Sequence, residues 1–280
     1  MMIILVMDVI YNNMKKIVLI LTSLIAFISF APLALGLTKQ FQYNPLGTLT
    51  TGLVSYYNMQ GNSNDYWGTN NGSDTSITYG TAYGKVNEGA NFNGSTSVIG
   101  LSNLPSGSTA RSFAFWVYFN SVSTDQVIIS ADTGGTTRAS FLFEMDAATA
   151  GKLYFETWGD DIASVATLSS GQWYFIVGTY DGNTNTSLYI NGTLDTSHTL
   201  GGTLNTATSS YEIGNWTYAS KPFSGDIDEV AVYSKALSSA EISELYRSGT
   251  GQTMCNGTGG PLCFHKVILI SLNFKPEPIV

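Results

Sequence analysis

The chain is expected to fold as an all-β sandwich or barrel of antiparallel strands with one short helix at its end. Three observations predict this. Only 11% of the 280 residues are charged and 44% are hydrophobic, with 29 Gly, 16 Tyr, 14 Phe and 5 Trp set among many Ser, Thr and Asn. That mixture favours short strands and tight turns. From about Gly52 to Arg247 short apolar runs are punctuated by Asn-Gly, Asp-Gly, Gly-Gly and Ser-Gly, the spacing of antiparallel strands joined by turns. One segment alone carries a full helix signature: Ser238 and Glu241 form a capping box, while Leu237 and Ile242 form a hydrophobic staple.

The chain begins with a segment outside the domain. Residues 14–36 have a dibasic start at Lys15 and Lys16, an apolar run from Ile17 to Phe30 and small residues Ala34 and Gly36, the pattern of a secretory signal peptide. The alternative is an uncleaved membrane anchor, since Ile17 to Leu37 is long enough to span a bilayer. Residues 1–13 precede the dibasic start and carry Asp8, so Met14 is the better initiator. The expected organisation is thus an export segment over 1–36, a linker over 37–51, the β domain over 52–249 and a tail over 250–280. Without residues 1–36 the chain has 10 basic and 19 acidic residues, a formal charge of −9. The basic residues of the domain are scattered singly, which argues against nucleic acid, because phosphate binding needs clustered cations. A secreted or cell-surface location is expected, with membrane attachment only through an uncleaved N-terminal segment.

The clearest strands are expected at Phe113 to Phe119, Val127 to Ser130, Ser140 to Phe143, Leu153 to Trp158, Trp173 to Tyr180, Ser187 to Ile190 and Ile227 to Tyr233. Asn191-Gly192 lies between two of these runs and supplies the two positive φ angles of a type I′ hairpin turn. Together with the Asp181-Gly182 turn it predicts a three-strand meander over residues 172–198. The final helix places Ile242, Leu245 and Tyr246 on one apolar face, with Gly249 expected to end it. In the tail, Cys255 and Cys263 are the only cysteines. An exported chain makes a small disulfide loop the expected state, since two thiols without neighbouring His form an incomplete zinc site. The run VILISLNF at 267–274 reads as one more strand or the start of a further element.

Five segments, in order, resemble the laminin G-like jelly-roll branch of the concanavalin A-like lectin/glucanase superfamily: GLVSYYNMQGNSNDYWG (52–68), KVNEGANFNGSTSVIG (85–100), SFAFWVYF (112–119), GQWYFIVGTYDGNTNTSLYINGTLDTS (171–197) and FSGDIDEVAVYSKALSSAEISELY (223–246). The resemblance implies a concanavalin A-like jelly-roll sandwich of two curved antiparallel sheets with one short C-terminal helix. It also implies calcium as a cofactor, with Asp65 and Asp228 as the ligand candidates, because a hard cation takes several oxygen donors. The competing assignment is that Asp65 caps a turn and Asp228 meets backbone amides. Gln60 stands where the family commonly has an acidic residue and Tyr57 where it often has Trp, which weakens the calcium carry-over.

The chemistry expected of this chain is binding rather than catalysis. Glucanases of the superfamily use paired carboxylates on one strand. Here Glu144-Met145-Asp146 is followed by Ala148 and Thr149 where a second Glu is required. Asp226-Ile227-Asp228-Glu229 fails as well, because Val230 takes the next position on that face and strict alternation turns Glu229 to the other. No G-x-S-x-G, H-E-x-x-H or phosphate-loop motif occurs, and His198, expected at the surface, and His265 are the only histidines. Sugar recognition needs flat apolar faces beside hydroxyl-binding polar groups. Trp116 and Trp173 lie in apolar strands and read as core. Trp67, Trp158, Trp216 and Tyr218 adjoin Gly or polar residues and are the carbohydrate-binding candidates. Six Asn-x-Ser/Thr sequons, at Asn71, Asn93, Asn185, Asn191, Asn215 and Asn256, matter only in a glycosylating host. The leading expectation is an exported lectin-like or adhesion module for a glycan or glycosylated surface. The alternatives are a structural protein–protein module and, further off, a divergent glycoside hydrolase.

Overall fold

A computed structural model describes residues 49–131, 136–206, 210–216 and 218–251. The export segment, the Cys255–Cys263 disulfide, His265 and the run at 267–274 lie outside the described residues. Fifteen strands occur among the described residues. In chain order they are β1 (Leu53–Tyr57), β2 (Ser73–Thr75), β3 (Thr78–Gly80), β4 (Gly89–Asn93), β5 (Val98–Leu101), β6 (Arg111–Phe119), β7 (Gln126–Ala131), β8 (Phe141–Met145), β9 (Leu153–Glu156), β10 (Ile162–Ala163), β11 (Trp173–Tyr180), β12 (Asn185–Ile190), β13 (Thr193–Thr199), β14 (Tyr211–Ile213) and β15 (Ser224–Tyr233). One α-helix, α1 (Ser239–Tyr246), follows.

All strand pairs are antiparallel and they build two sheets. The first runs β13-β12-β11-β6-β15-β4-β3 with β1 also on β15, and the second runs β10-β9-β8-β7-β14-β5-β2. The two pack face to face through apolar residues that alternate along the strands, as a two-sheet sandwich requires. Phe113 and Phe115 of β6 meet Phe141 and Phe143 of β8 at ring separations of 5.2 and 5.1 Å. Residues 171–199 form the expected meander. Its turn has Asn191 at φ 51° and Gly192 at φ 78°, the type I′ geometry that Asn-Gly adopts at low cost.

Strand β15 shares one edge between two partners. Its first half pairs with β4 and its second half with β1, while β6 lies along its other side. At the changeover the register with β6 slips between Asp228 and Ala231, and Glu229 has φ 53°. This β-bulge corrects the strict alternation expected of the sequence. Asp228 lies opposite Trp116, and the Tyr56 hydroxyl donates to Glu229, so both acidic residues address the outer layer of the first sheet. Val230 and Val232 fill the core between the sheets instead.

The helix covers that same outer layer. Ile242 and Leu245 are buried against it, and Tyr246 stacks on Trp116 with ring centroids 5.7 Å apart. Ser238 and Glu241 make both halves of the capping box, as the sequence predicts. The helix ends earlier than expected. Arg247, not Gly249, takes the left-handed cap at φ 46° and donates its backbone N–H to the Ser243 carbonyl. No described helix is long and apolar enough to cross a membrane.

Arg111 was not foreseen as a core residue. It is fully buried, with its guanidinium 4.8 Å from the Phe141 ring centroid and 5.5 Å from that of Tyr180. Donation to the Gly107 and Thr109 carbonyls and to the Thr206 hydroxyl ties the loop before β6 to the chain before β14.

Candidate functional site

Three of the four carbohydrate-binding candidates converge on the outer face of the second sheet. On β8, Phe141, Phe143 and Met145 point into the core, so Leu142 and Glu144 point outward; on β9 the same alternation sends Tyr154 and Glu156 outward. Trp216 closes over Val127 and Leu142, and Trp158 packs against the edge of that group. The Trp158 and Trp216 rings meet edge to face at 5.9 Å, and Trp216 and Tyr218 stack at 5.7 Å. Trp216 is 6% exposed whereas Tyr218 is 66% exposed, so one ring forms a floor and the other stands in solvent.

Local chemistry holds these rings in place. The loop between β14 and β15 leaves the sheet at Gly214, whose φ of +85° and approach to Phe92 leave no room for a Cβ. Backbone bonds from Gly214 to Ile128 and from Phe223 to Gly214 close its neck. The Ser130 hydroxyl donates to the Asn215 carbonyl at 2.9 Å, and the Val127 N–H donates to the Lys221 carbonyl at 3.1 Å. Across the sheet, Asp161 accepts the Thr157 N–H at 2.8 Å and turns the chain back after β9, which leaves Trp158 at φ 65°. The strand therefore ends at Glu156 rather than at Trp158.

A group of ionisable residues adjoins the rings. Register places Leu142 opposite Glu156 and Glu144 opposite Tyr154, so Glu144 and Glu156 are diagonal neighbours on one face. Lys221 forms an ion pair with Glu144, and its ammonium lies 5.6 Å from the Trp216 ring centroid. Burial, then the charges of Glu144 and Asp161, push Glu156 up to about 8, with Lys221 opposing. Burial works against the Lys221 ammonium, but the hydrogen bond and charge of Glu144 hold its pKa above the ordinary lysine value. Alternation along a single strand does not reveal Glu156, because Glu144 lies on the neighbouring strand and only cross-strand register brings the two to one face.

Trp67 lies elsewhere. It packs with Tyr66 against the outer layer of the first sheet, on the other side of the sandwich from Trp158, Trp216 and Tyr218. Trp116 is buried, Trp173 is partly buried in that same layer, and His198 is exposed on β13.

The oxygens of the two calcium candidates already face protein donors. Asp65 accepts the backbone N–H groups of Tyr56, Trp67, Gly68 and Asn70 at 2.8–3.0 Å. Asp228 accepts those of Lys85, Val86 and Glu229 at 2.8–2.9 Å. N–H groups aimed at both oxygens put positive charge where a cation would sit, so this pair does not fit a shared calcium ion. Among the described residues no group of three or more His, Cys, Asp or Glu is placed to hold a metal. Gln60 has a distinct job that an acidic residue would not perform. Its side-chain amide Nε2 donates to the Asn58, Val86 and Glu88 carbonyls.

Burial raises Asp228 to about 8 in spite of its three N–H partners. Burial and the Asp228 charge push Glu229 well above its ordinary value, against the Tyr56 hydroxyl. The three N–H donors favour the charge on Asp228, so Glu229 is the later of the two to lose its proton.

A laminin G-like family model of the concanavalin A-like lectin/glucanases superfamily matches residues 92–243, more than half of the chain. The chain belongs to that superfamily. Solved structures share the fold. Domain 4 of an extracellular arabinanase from Geobacillus stearothermophilus, solved with arabinotriose, matches at 22% identity and TM-score 0.52, covering 71% of this chain and 98% of that one. A botulinum neurotoxin type C structure, described as entering cells through two ganglioside molecules, matches at 13% identity and TM-score 0.56, covering 72% of this chain and 53% of that one. A Trypanosoma rangeli sialidase matches at 17% identity and TM-score 0.55, covering 73% and 34%. The chain thus spans about half of the toxin chain and a third of the sialidase. No curated protein sequence matches it significantly.

Proposed function

We propose that this protein is a non-catalytic glycan-binding module, secreted or held at the cell surface, that engages sugar on the outer face of its second sheet. The observation that carries this reading is the convergence of Trp158, Trp216 and Tyr218, with Tyr218 standing 66% exposed on a buried Trp floor. An exposed ring fixed from below offers the flat apolar surface that pyranose or furanose C–H groups cover, and its rigidity lowers the entropy lost on binding. The arabinotriose bound to the arabinanase domain and the gangliosides named for the neurotoxin make sugar the ligand class to try first. Hydrolysis is the weaker reading because the carboxylates of β8 are already engaged: Glu144 is ion-paired with Lys221 and Asp146 accepts the Ala148 N–H, whereas glycoside hydrolysis needs two carboxyls facing the scissile bond.

The test is glycan-array screening of the full chain, followed by calorimetry on any ligand found. Tyr218→Ala and Trp158→Ala should each weaken binding by about 1–3 kcal/mol, or roughly 5- to 150-fold, while leaving the melting temperature within a few degrees. A folded protein that binds no glycan would overturn this reading and favour a protein-binding module. Glycan binding unaffected by either variant would move the site elsewhere.

A further inference from the structure

A row of four side chains crosses the first sheet next to the layer that α1 covers. Register puts Asn91 of β4 opposite Asp226 of β15, Asp226 opposite Tyr118 of β6, and Tyr118 opposite Trp173 of β11. Alternation turns all four outward, because Ala90, Phe92, Val117, Phe119, Tyr174 and Ile227 fill the core beside them. The helix lies over Trp116 and Phe175 through Tyr246, while Asn91, Tyr118 and Trp173 stay half-buried. The Tyr118 and Trp173 rings are 5.8 Å apart and tilted by 57°, so together they form an aromatic corner.

Asp226 stands in this row without a charge partner. Its Oδ1 accepts the Asn91 amide at 2.7 Å, and none of the ion pairs among the described residues includes it. Its Oδ2 meets no donor among the described residues, yet it is not one of the side-chain atoms closed to solvent. Burial raises the pKa of this carboxyl against the Asn91 hydrogen bond, as expected of a charge partly stripped of water with no cation to offset the loss. The next row along the same strands shows what fits such a place. There Asp228 lies opposite Trp116, and the chain supplies its own cation: the Lys85 ammonium is 4.5 Å from the Trp116 ring centroid. The row at Asp226 repeats a carboxylate beside a ring, and no cation of the described residues fills it.

We propose that Asn91, Asp226, Tyr118 and Trp173 form a docking site for an arginine side chain presented by a basic partner protein. A guanidinium is planar and weakly hydrated, so it stacks on the Tyr118–Trp173 rings while its fork of N–H groups faces Asp226 Oδ2 and Asn91 Oδ1. A metal ion fits this row poorly, since calcium takes about six to eight oxygens and the row holds one carboxylate and one amide. The formal charge of −8 on the chain draws a basic partner toward it. This row lies on the other sheet from Trp158, Trp216 and Tyr218, and the proposal does not depend on the glycan reading.

The experiment is NMR titration of the full chain with acetyl-arginine amide and with acetyl-citrulline amide, its uncharged isostere. The arginine derivative should bind with a dissociation constant on the order of 1 mM, the scale of one carboxylate and one ring contact, and shift the Trp173 indole resonance. The citrulline derivative should bind about tenfold more weakly. Asp226→Asn keeps the shape of the side chain and its bond to Asn91, and it should weaken arginine binding about tenfold. Trp173→Leu, which also assigns the indole signal, should weaken it about threefold or more, with both folds checked by circular dichroism. Citrulline bound as tightly as arginine, an affinity that survives Asp226→Asn, or no binding at about 20 mM would each overturn the proposal. The citrulline comparison needs no variant, so it decides the matter even where a variant fails to fold. A neutral oligosaccharide that shifts the Trp173 indole while arginine does not would make the row a sugar site and overturn the docking of a cation.

Discussion

Single side chains in this protein do work that their residue type only partly announces. Asp65 was open to two readings, as a calcium ligand or as a turn cap, and four backbone N–H groups converge on it. Asp65→Asn would put an amide N–H₂ against one of those donors, so the variant should lose about 1–3 kcal/mol in urea unfolding, equally with and without chelator. A loss that appeared only in calcium would restore the metal reading. Trp158, Trp216 and Tyr218 were legible as candidates from their polar and Gly neighbours. Their separation from Trp67 was not, because sequence neighbours reveal exposure but not which sheet a loop leaves. Glu156 was illegible for a related reason: alternation orders residues along one strand, and only register brings Glu144 of β8 beside it.

Elements with local codes came through almost unchanged. The Asn191-Gly192 hairpin and the Ser238 capping box depend on contacts within a few residues, which the sequence specifies directly. Ser238→Ala should cost about 1 kcal/mol in denaturant unfolding, since it removes the side-chain acceptor for the Glu241 N–H. A change within a few tenths would mean that Tyr246, Ile242 and Leu245, packed on the sheet, hold the helix without its cap. The helix end and the β15 bulge were misjudged where nonlocal packing decided. Arg247 accepts a left-handed conformation although Gly249 stands two residues on. Glu229 leaves the alternation because β15 changes partner from β4 to β1 there.

At the scale of the whole molecule, buried acids tie stability to pH. Glu156 and Asp228 are raised to about 8, and Glu229 and Asp226 are raised as well, with burial the first cause in each case. Their folded pKa values exceed those of the unfolded chain, so the folded state binds more protons. This contribution is fully present below the ordinary carboxylate range and is lost as pH rises toward about 8. Surface carboxylates with lowered pKa, Asp160 and Asp181 among them, act in the opposite sense but are screened by solvent. The melting temperature should therefore be higher near pH 5.5 than near pH 9, as read by scanning calorimetry. A melting temperature that is level or rising over that interval would show these carboxyls to be better solvated than their burial indicates.

The sequence by itself determined the class of fold, its meander, its capped helix and the aromatic residues from which a sugar site would be drawn. Turn chemistry, alternation and composition are local and additive along the chain, so they survive without a structure. Only the tertiary structure decided which rings share a face, that Asp65 and Asp228 are filled by backbone N–H groups, and that Glu144 and Glu156 lie diagonally on one face of the second sheet. Those facts depend on the register between strands distant in the chain, and residue order alone does not set it.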